Sequence, residues 1–150
     1  MQKISVLHEK AYTKGVEAIS YLSLPGLLSE NQQLAINVKK RILSLLAEGP
    51  VLLEQQQLTD NEMRVLMPIL ESFPQSCPYE VLLSSLSSAT VDSASSTLWQ
   101  RRLKEAQKSR TWHQELRPLR RALSSLRGKL HFFGLAIATA RERGCNLTSL

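Results

Sequence analysis

A mainly α-helical fold that ends in a small β-hairpin and begins with a helical extension is what this chain of 150 residues predicts. Three observations carry that expectation. Apolar residues recur every three or four positions through much of the chain, the repeat of a helix with one buried stripe. The sharpest instance is residues 117–130, Arg-Pro-Leu-Arg-Arg-Ala-Leu-Ser-Ser-Leu-Arg-Gly-Lys-Leu, where leucines and arginines take opposite sides. Beyond it, residues 134–147 alternate in polarity and then turn, as a hairpin does.

The first fifty residues predict two helices. Leu7, Tyr12, Val16, Ile19 and Leu22 lie at near-helical spacing over residues 3–23, although Gly15 weakens that segment by about 1 kcal/mol relative to alanine. Leu24-Pro-Gly26 breaks the chain. Ser29 followed by Gln32 has the form of a capping box, and Leu34, Val38, Ile42 and Leu45 mark a second helix that ends at Gly49-Pro50. Its other face carries Lys39, Lys40 and Arg41. Residues 1–50 are thus expected to be a helical extension, and periodicity alone does not separate packing on a core from pairing with a second copy.

Residues 51–150 predict a second unit. Val51-Leu-Leu53 is a short apolar run of strand type, with the polar Glu54–Gln57 leading away from it. Thr59 and Glu62 again have capping-box spacing and open a helix that buries Met63, Leu66, Met67 and Leu70. Pro68 within it removes one hydrogen bond and predicts a kink or an early end. Cys77-Pro-Tyr-Glu80 has the form of a new helix start, with Pro78 in the first turn and Val81, Leu82, Leu83 and Leu86 to bury. Serines and threonines dominate residues 84–97, which predicts a flexible loop, followed by a basic helix over residues 98–108. Together these make an enlarged loop at about residues 84–111. Trp99 and Trp112 are most simply core or lid residues.

The helix over residues 117–130 buries Leu119, Leu123, Leu126 and Leu130 on one side. Arg117, Arg121, Ser124 and Gly128 point away from it, with Arg120 and Arg127 on the flanks. Pro118 suits the first turn, where its missing N–H has no partner to lose. In the hairpin, Ala136, Ala138 and Ala140 alternate with Ile137 and Thr139, Arg141-Glu-Arg-Gly144 forms the turn, and Cys145-Asn-Leu147 returns. Gly144 is expected to supply the backbone freedom of a tight turn or bulge.

Composition bounds function. Hydrophobic residues make up 43% of the chain and aromatic residues 5%, so the core is aliphatic. No run nears the roughly 18 apolar residues of a membrane span, and charges run through residues 1–20, unlike a secretory signal. A cytoplasmic protein with no membrane attachment is expected. Cys77 and Cys145 lack CxxC spacing, which argues against structural zinc or a disulfide, and Asn146-Leu-Thr148 is a chance match to a glycosylation acceptor. His8, His113 and His131 share no metal-ligand spacing, and neither a phosphate-binding glycine loop nor a nucleophile–base pair is visible. No enzyme activity, metal or cofactor is expected.

The net charge of +6 is unevenly spread. Residues 1–97 hold seven Lys/Arg against ten Asp/Glu, whereas residues 98–150 hold twelve against three. A positive field gathered in one third of a chain favours a polyanion, nucleic acid or an acidic membrane surface.

Four motifs in order now carry a family resemblance: Leu58-Thr-x-x-Glu62 with its apolar helix, Pro78-Tyr-Glu-Val-Leu-Leu83, Leu126-Arg-Gly-Lys-Leu130, and Gly134 through Ile137-Ala-Thr139 to Arg141-x-Arg-Gly-Cys145-x-Leu147. Residues 51–149 resemble the OmpR/PhoB-type winged-helix DNA-binding domain. The segment before Arg117 is longer than in that family, Arg120 stands where an acidic residue is common, Gly128 lies inside the recognition helix, and Cys145 replaces a tyrosine. The first 50 residues lack the aspartate pattern of a receiver domain.

The resemblance implies a sequence-specific duplex-DNA-binding transcription regulator, with a recognition helix at about residues 117–131 in the major groove and a wing at about residues 135–148 on a flanking minor groove. Arginine suits this work because its planar fork grips guanine or phosphate bidentately. Arg117, Arg121 and Ser124 are the best candidates for base or phosphate contact, and Arg120 on the flank is a further DNA-binding candidate. Arg127 and Lys129 are candidates for phosphates or neighbouring acidic groups, and Arg141 and Arg143 for the minor groove. Duplex DNA, a second copy of the chain and RNA polymerase are the expected partners. An interaction module that binds another regulator or polymerase without touching DNA is the alternative. Leu58-Thr-x-x-Glu62 also opens the LuxR-type helix-turn-helix, but that fold ends in helix where a hairpin is expected here.

Overall fold

The computed structural model describes residues 8–10, 19–87, 93–140 and 143–150. Five antiparallel strands come first: β1 (His8–Lys10), β2 (Ile19–Leu22), β3 (Gln32–Asn37), β4 (Ile42–Ala47) and β5 (Val51–Gln57), hydrogen-bonded in that order. This corrects the expected helical extension, and with it the expectation of a mainly α fold. The predicted helix over residues 3–23 falls on strand at residues 8–10 and 19–22 and on no helix among the described residues.

Why these residues form a sheet is visible in Leu34-Ala-Ile36 and Leu43-Ser-Leu45, each apolar on alternate positions. The register sets Leu34 opposite Leu45 and Ile36 opposite Leu43, and Leu22 opposite Leu34. All are buried. A helix seamed on Leu34, Val38, Ile42 and Leu45 would turn Ile36 and Leu43 to the opposite side. The sheet buries both and, of the residues on that helical seam, exposes Val38 and part of Ile42. At roughly 2 kcal/mol per buried aliphatic side chain, the sheet is favoured. The Ser29/Gln32 pair does form one bond of its predicted box, with Ser29 N donating to Gln32 Oε1 at 3.2 Å. It closes a turn ahead of β3 instead of starting a helix. β5 extends the expected strand through the polar residues to Gln57, with a register shift between Leu45 and Leu46 of β4.

After the sheet, α1 (Asp60–Ser72) begins with the predicted capping box in full: Glu62 N donates to Thr59 Oγ1 at 3.2 Å and Thr59 N to Glu62 Oε1 at 2.7 Å. Pro68 does not end it. The carbonyl of Arg64, which loses its helical partner at Pro68, accepts from Ser85 Oγ at 2.6 Å, so the broken bond is replaced from a neighbouring helix. Cys77–Pro78 is a two-residue strand, β6, where a helix start was expected. The helix α2 (Tyr79–Ser87) starts one residue later, with Tyr79 N bonded to Arg143 O at 3.1 Å.

The expected loop is mostly helix. Residues 84–87 complete α2, α3 (Ser93–Ser109) and the short α4 (Trp112–Glu115) follow, and residues 88–92 lie outside the described ones. Serine and threonine disfavour a helix only weakly, and α3 recovers more by burying Leu103 and Ala106. Next come α5 (Arg117–Leu130), a 3-10 turn at His131–Phe133, β7 (Leu135–Ala140) and β8 (Gly144–Ser149). β6, β8 and β7 make a three-stranded sheet in that order, so the expected hairpin gains a third strand. One buried cluster runs from Leu22 through α1, α2 and α5 to Leu147.

Candidate nucleic-acid interface

The buried face of α5 is Leu119, Ala122, Leu123, Leu126 and Leu130, and Pro118 stands in its first turn. That leucine seam sets the helix rotation. Arg117, Arg120, Arg121 and Ser124 are consequently all exposed. Among the described residues no carboxylate pairs with the three arginines. Gly128 shares this face, and a Cβ added to it would meet no atom within 4 Å. The exposed side of α5 is therefore cationic and low in profile, which lets a polyanion approach the backbone closely.

The shoulders of the helix do other work. Arg127 is half-buried, and its Nε donates to the carbonyl of Ile137 on β7 at 3.3 Å, fastening the helix to the hairpin. Lys129 Nζ lies 2.6 Å from Glu62 Oε1 and donates to Gln57 O at 2.7 Å. It faces the neighbouring acid of the two roles expected for it, and it ties α5 to both α1 and β5. Ser125 Oγ donates to the second Glu62 oxygen. Burial pushes the Glu62 carboxyl up, but Lys129, Ser125 and the Thr59 N–H outweigh that and hold it below the ordinary carboxylate range.

Arg143 is exposed in the turn between β7 and β8, its N bonded to Ala140 O at 3.1 Å. Arg141 lies outside the described residues. A second groove residue set joins α5 from α1: Thr59 and Asn61 border the same cleft as Arg117 and Arg121. The structure thus gathers Arg117, Arg120, Arg121 and Ser124 on one surface and withdraws Arg127 and Lys129 into contacts within the fold. Sequence reasoning missed Ser125 and the Glu62 end of the network. The spacing of Ser125 and Lys129 by four residues, one helical turn, is the signal that can find them.

His113 and His131 are exposed on separate elements. Among the described residues no group of three or more His, Cys, Asp or Glu is placed to hold a metal, and no helix is long and apolar enough to cross a membrane. No protein-family model, curated protein or solved structure matches this chain.

Proposed function

We propose that this chain is a sequence-specific duplex-DNA-binding regulator of the OmpR/PhoB type, with α5 in the major groove and the β7–β8 turn at the flanking minor groove. The observation that carries the reading is the exposed face of Arg117, Arg120, Arg121 and Ser124 on a helix of 14 residues. A major groove about 12 Å wide admits such a helix. The order of elements supports it: an antiparallel sheet, then α1, β6, α2, the added α3 and α4, α5, and a hairpin closing on β6, with Arg143 at the hairpin turn.

Duplex affinity is expected to fall steeply with salt, by a logarithmic slope of about −0.9 for each phosphate neutralised. Arg121→Ala is expected to weaken binding by about 1–3 kcal/mol if it reads a base. Titrating a labelled duplex pool recovered by binding-site selection measures both. Salt-independent or absent duplex binding would sink the proposal. The exposed Val51, Leu52 and Leu53 on the edge strand β5 favour a second reading, a protein-interaction module. Charge reversal at Arg117, Arg120 and Arg121 that left regulation intact would favour it.

A further inference from the structure

A second cationic groove lies beside α5, where α3 and α4 meet β7. Gln107 and Arg110 come from the end of α3, His113 from α4, Arg120 from α5 and Thr139 from β7. Every one of these is exposed and each can donate a hydrogen bond. Among the described residues no carboxylate lines the groove. Glu115 of α4, two residues from His113, is drawn aside by Arg102, whose Nη2 lies 3.0 Å from Glu115 Oε2. Arg102 in turn stacks over Trp99, with its guanidinium carbon 4.4 Å from the ring centroid, and Trp99 Nε1 donates to Ser87 Oγ of α2 at 3.1 Å. The insertion is thereby tied to the fold. The rings of Tyr79 and Trp112, which also line the groove, meet edge to face at 6.0 Å.

Arg110 has an unusual backbone. Its φ is 61°, and Thr111 N returns to Ala106 O at 2.9 Å, the left-handed helix ending that glycine adopts freely and arginine adopts at a cost. The chain thus places a cation where the backbone favours glycine. The groove continues along α5 past Arg120, Thr139 and Arg127, and Arg120 is exposed on the same helix as Arg117 and Arg121.

We propose that this groove takes the phosphodiester backbone of duplex DNA beside the segment facing α5, which makes the α3–α4 insertion a second DNA-contacting element. Arginine forks, an amide and a hydroxyl, with no opposing carboxylate among the described residues, fit phosphate oxygens. The inference rests on the reading of α5 as a duplex-binding helix.

The test is fluorescence anisotropy of the full chain on two duplexes carrying the same selected site, one trimmed to the site and one with long flanks. Arg110→Gly, Gln107→Glu and Arg121→Ala are compared with the parent chain. Arg110→Gly relieves the backbone, so its melting temperature stays level or rises. Its affinity for the long duplex is expected to fall about three- to tenfold, with the salt slope smaller by about 1, the share of a single phosphate contact. On the trimmed duplex it matches the parent. Gln107→Glu shows the same length dependence, and Arg121→Ala weakens both duplexes. If Arg110→Gly and Gln107→Glu bind the long duplex as the parent does while Arg121→Ala is weakened, the insertion is off the DNA and the inference fails alone. If the parent chain binds neither duplex, the reading of α5 fails and takes the inference with it.

Discussion

Glu62 is the residue on which the site's geometry turns. Its side chain is only 1% exposed and receives Lys129, Ser125 and the Thr59 N–H. Because its folded-state pKa is lowered, the network adds stability above the ordinary carboxylate range and loses it as the pH falls through that range. Replacing it by Gln leaves Lys129 without a countercharge. Breaking a buried pair costs about 3–5 kcal/mol, and Lys129 is 28% exposed, so screening reduces the expected loss to about 2 kcal/mol at neutral pH. Urea unfolding of Glu62→Gln and the parent is expected to show a gap that narrows as the carboxylate becomes protonated. An equal gap at neutral and acid pH would show that the charge is not what matters. The cysteines carry no such linkage near neutrality. Burial pushes the thiol of Cys77 up to about 12 and that of Cys145 up to about 11, so both are neutral packing groups where β6 meets β8.

Among the elements, the joint between β6 and β8 holds the hairpin beside α5. Gly144 is required there for a reason other than the expected turn freedom. Its φ is not among the positive ones, but a Cβ at this position would sit 1.9 Å from the carbonyl oxygen of Cys77. Backbone does not yield as a flexible side chain does. Gly144→Ala is therefore expected to cost about 3 kcal/mol by forcing β6 and β8 apart, read as a lower urea midpoint. A midpoint equal to the parent's would show that the strands yield. The hairpin itself was legible in the sequence because its alternation and turn are local, whereas its third strand was not, since β6 has two residues and pairs across more than sixty positions. The same distinction governs the rest. The capping box at Thr59 and the leucine seam of α5 are contained in one helix, and both occur as the sequence reads. Leu34, Val38, Ile42 and Leu45 satisfy helical spacing by coincidence across two strands and a turn, while the period-two pairs Leu34/Ile36 and Leu43/Leu45 are too short to override it. At the candidate site, the exposure of Arg117, Arg120 and Arg121 follows from the seam, but the retreat of Lys129 depends on Glu62, 67 positions away.

For the molecule as a whole, the question is whether α3 and α4 belong to the same cooperative unit as the sheet and α5. Leu103 of α3 and Leu116 beyond α4 belong to the buried cluster that also holds Leu34, Leu66 and Leu126, and Lys129 joins β5, α1 and α5 through Gln57 O and Glu62. A chain of this size with one continuous core is expected to unfold in a single step. The chain supplies its own probe, because its two tryptophans, Trp99 and Trp112, lie in α3 and α4. Tryptophan fluorescence therefore follows α3 and α4, whereas far-ultraviolet circular dichroism follows every helix and strand. The two melting curves are expected to share one midpoint. A saturating duplex should raise that midpoint in both probes together, since a ligand at a hundred times its Kd adds about 2.7 kcal/mol to the state it binds. A fluorescence transition that precedes the dichroism would mean that α3 and α4 detach while α5 stays folded, and a groove built from both could not then be preformed.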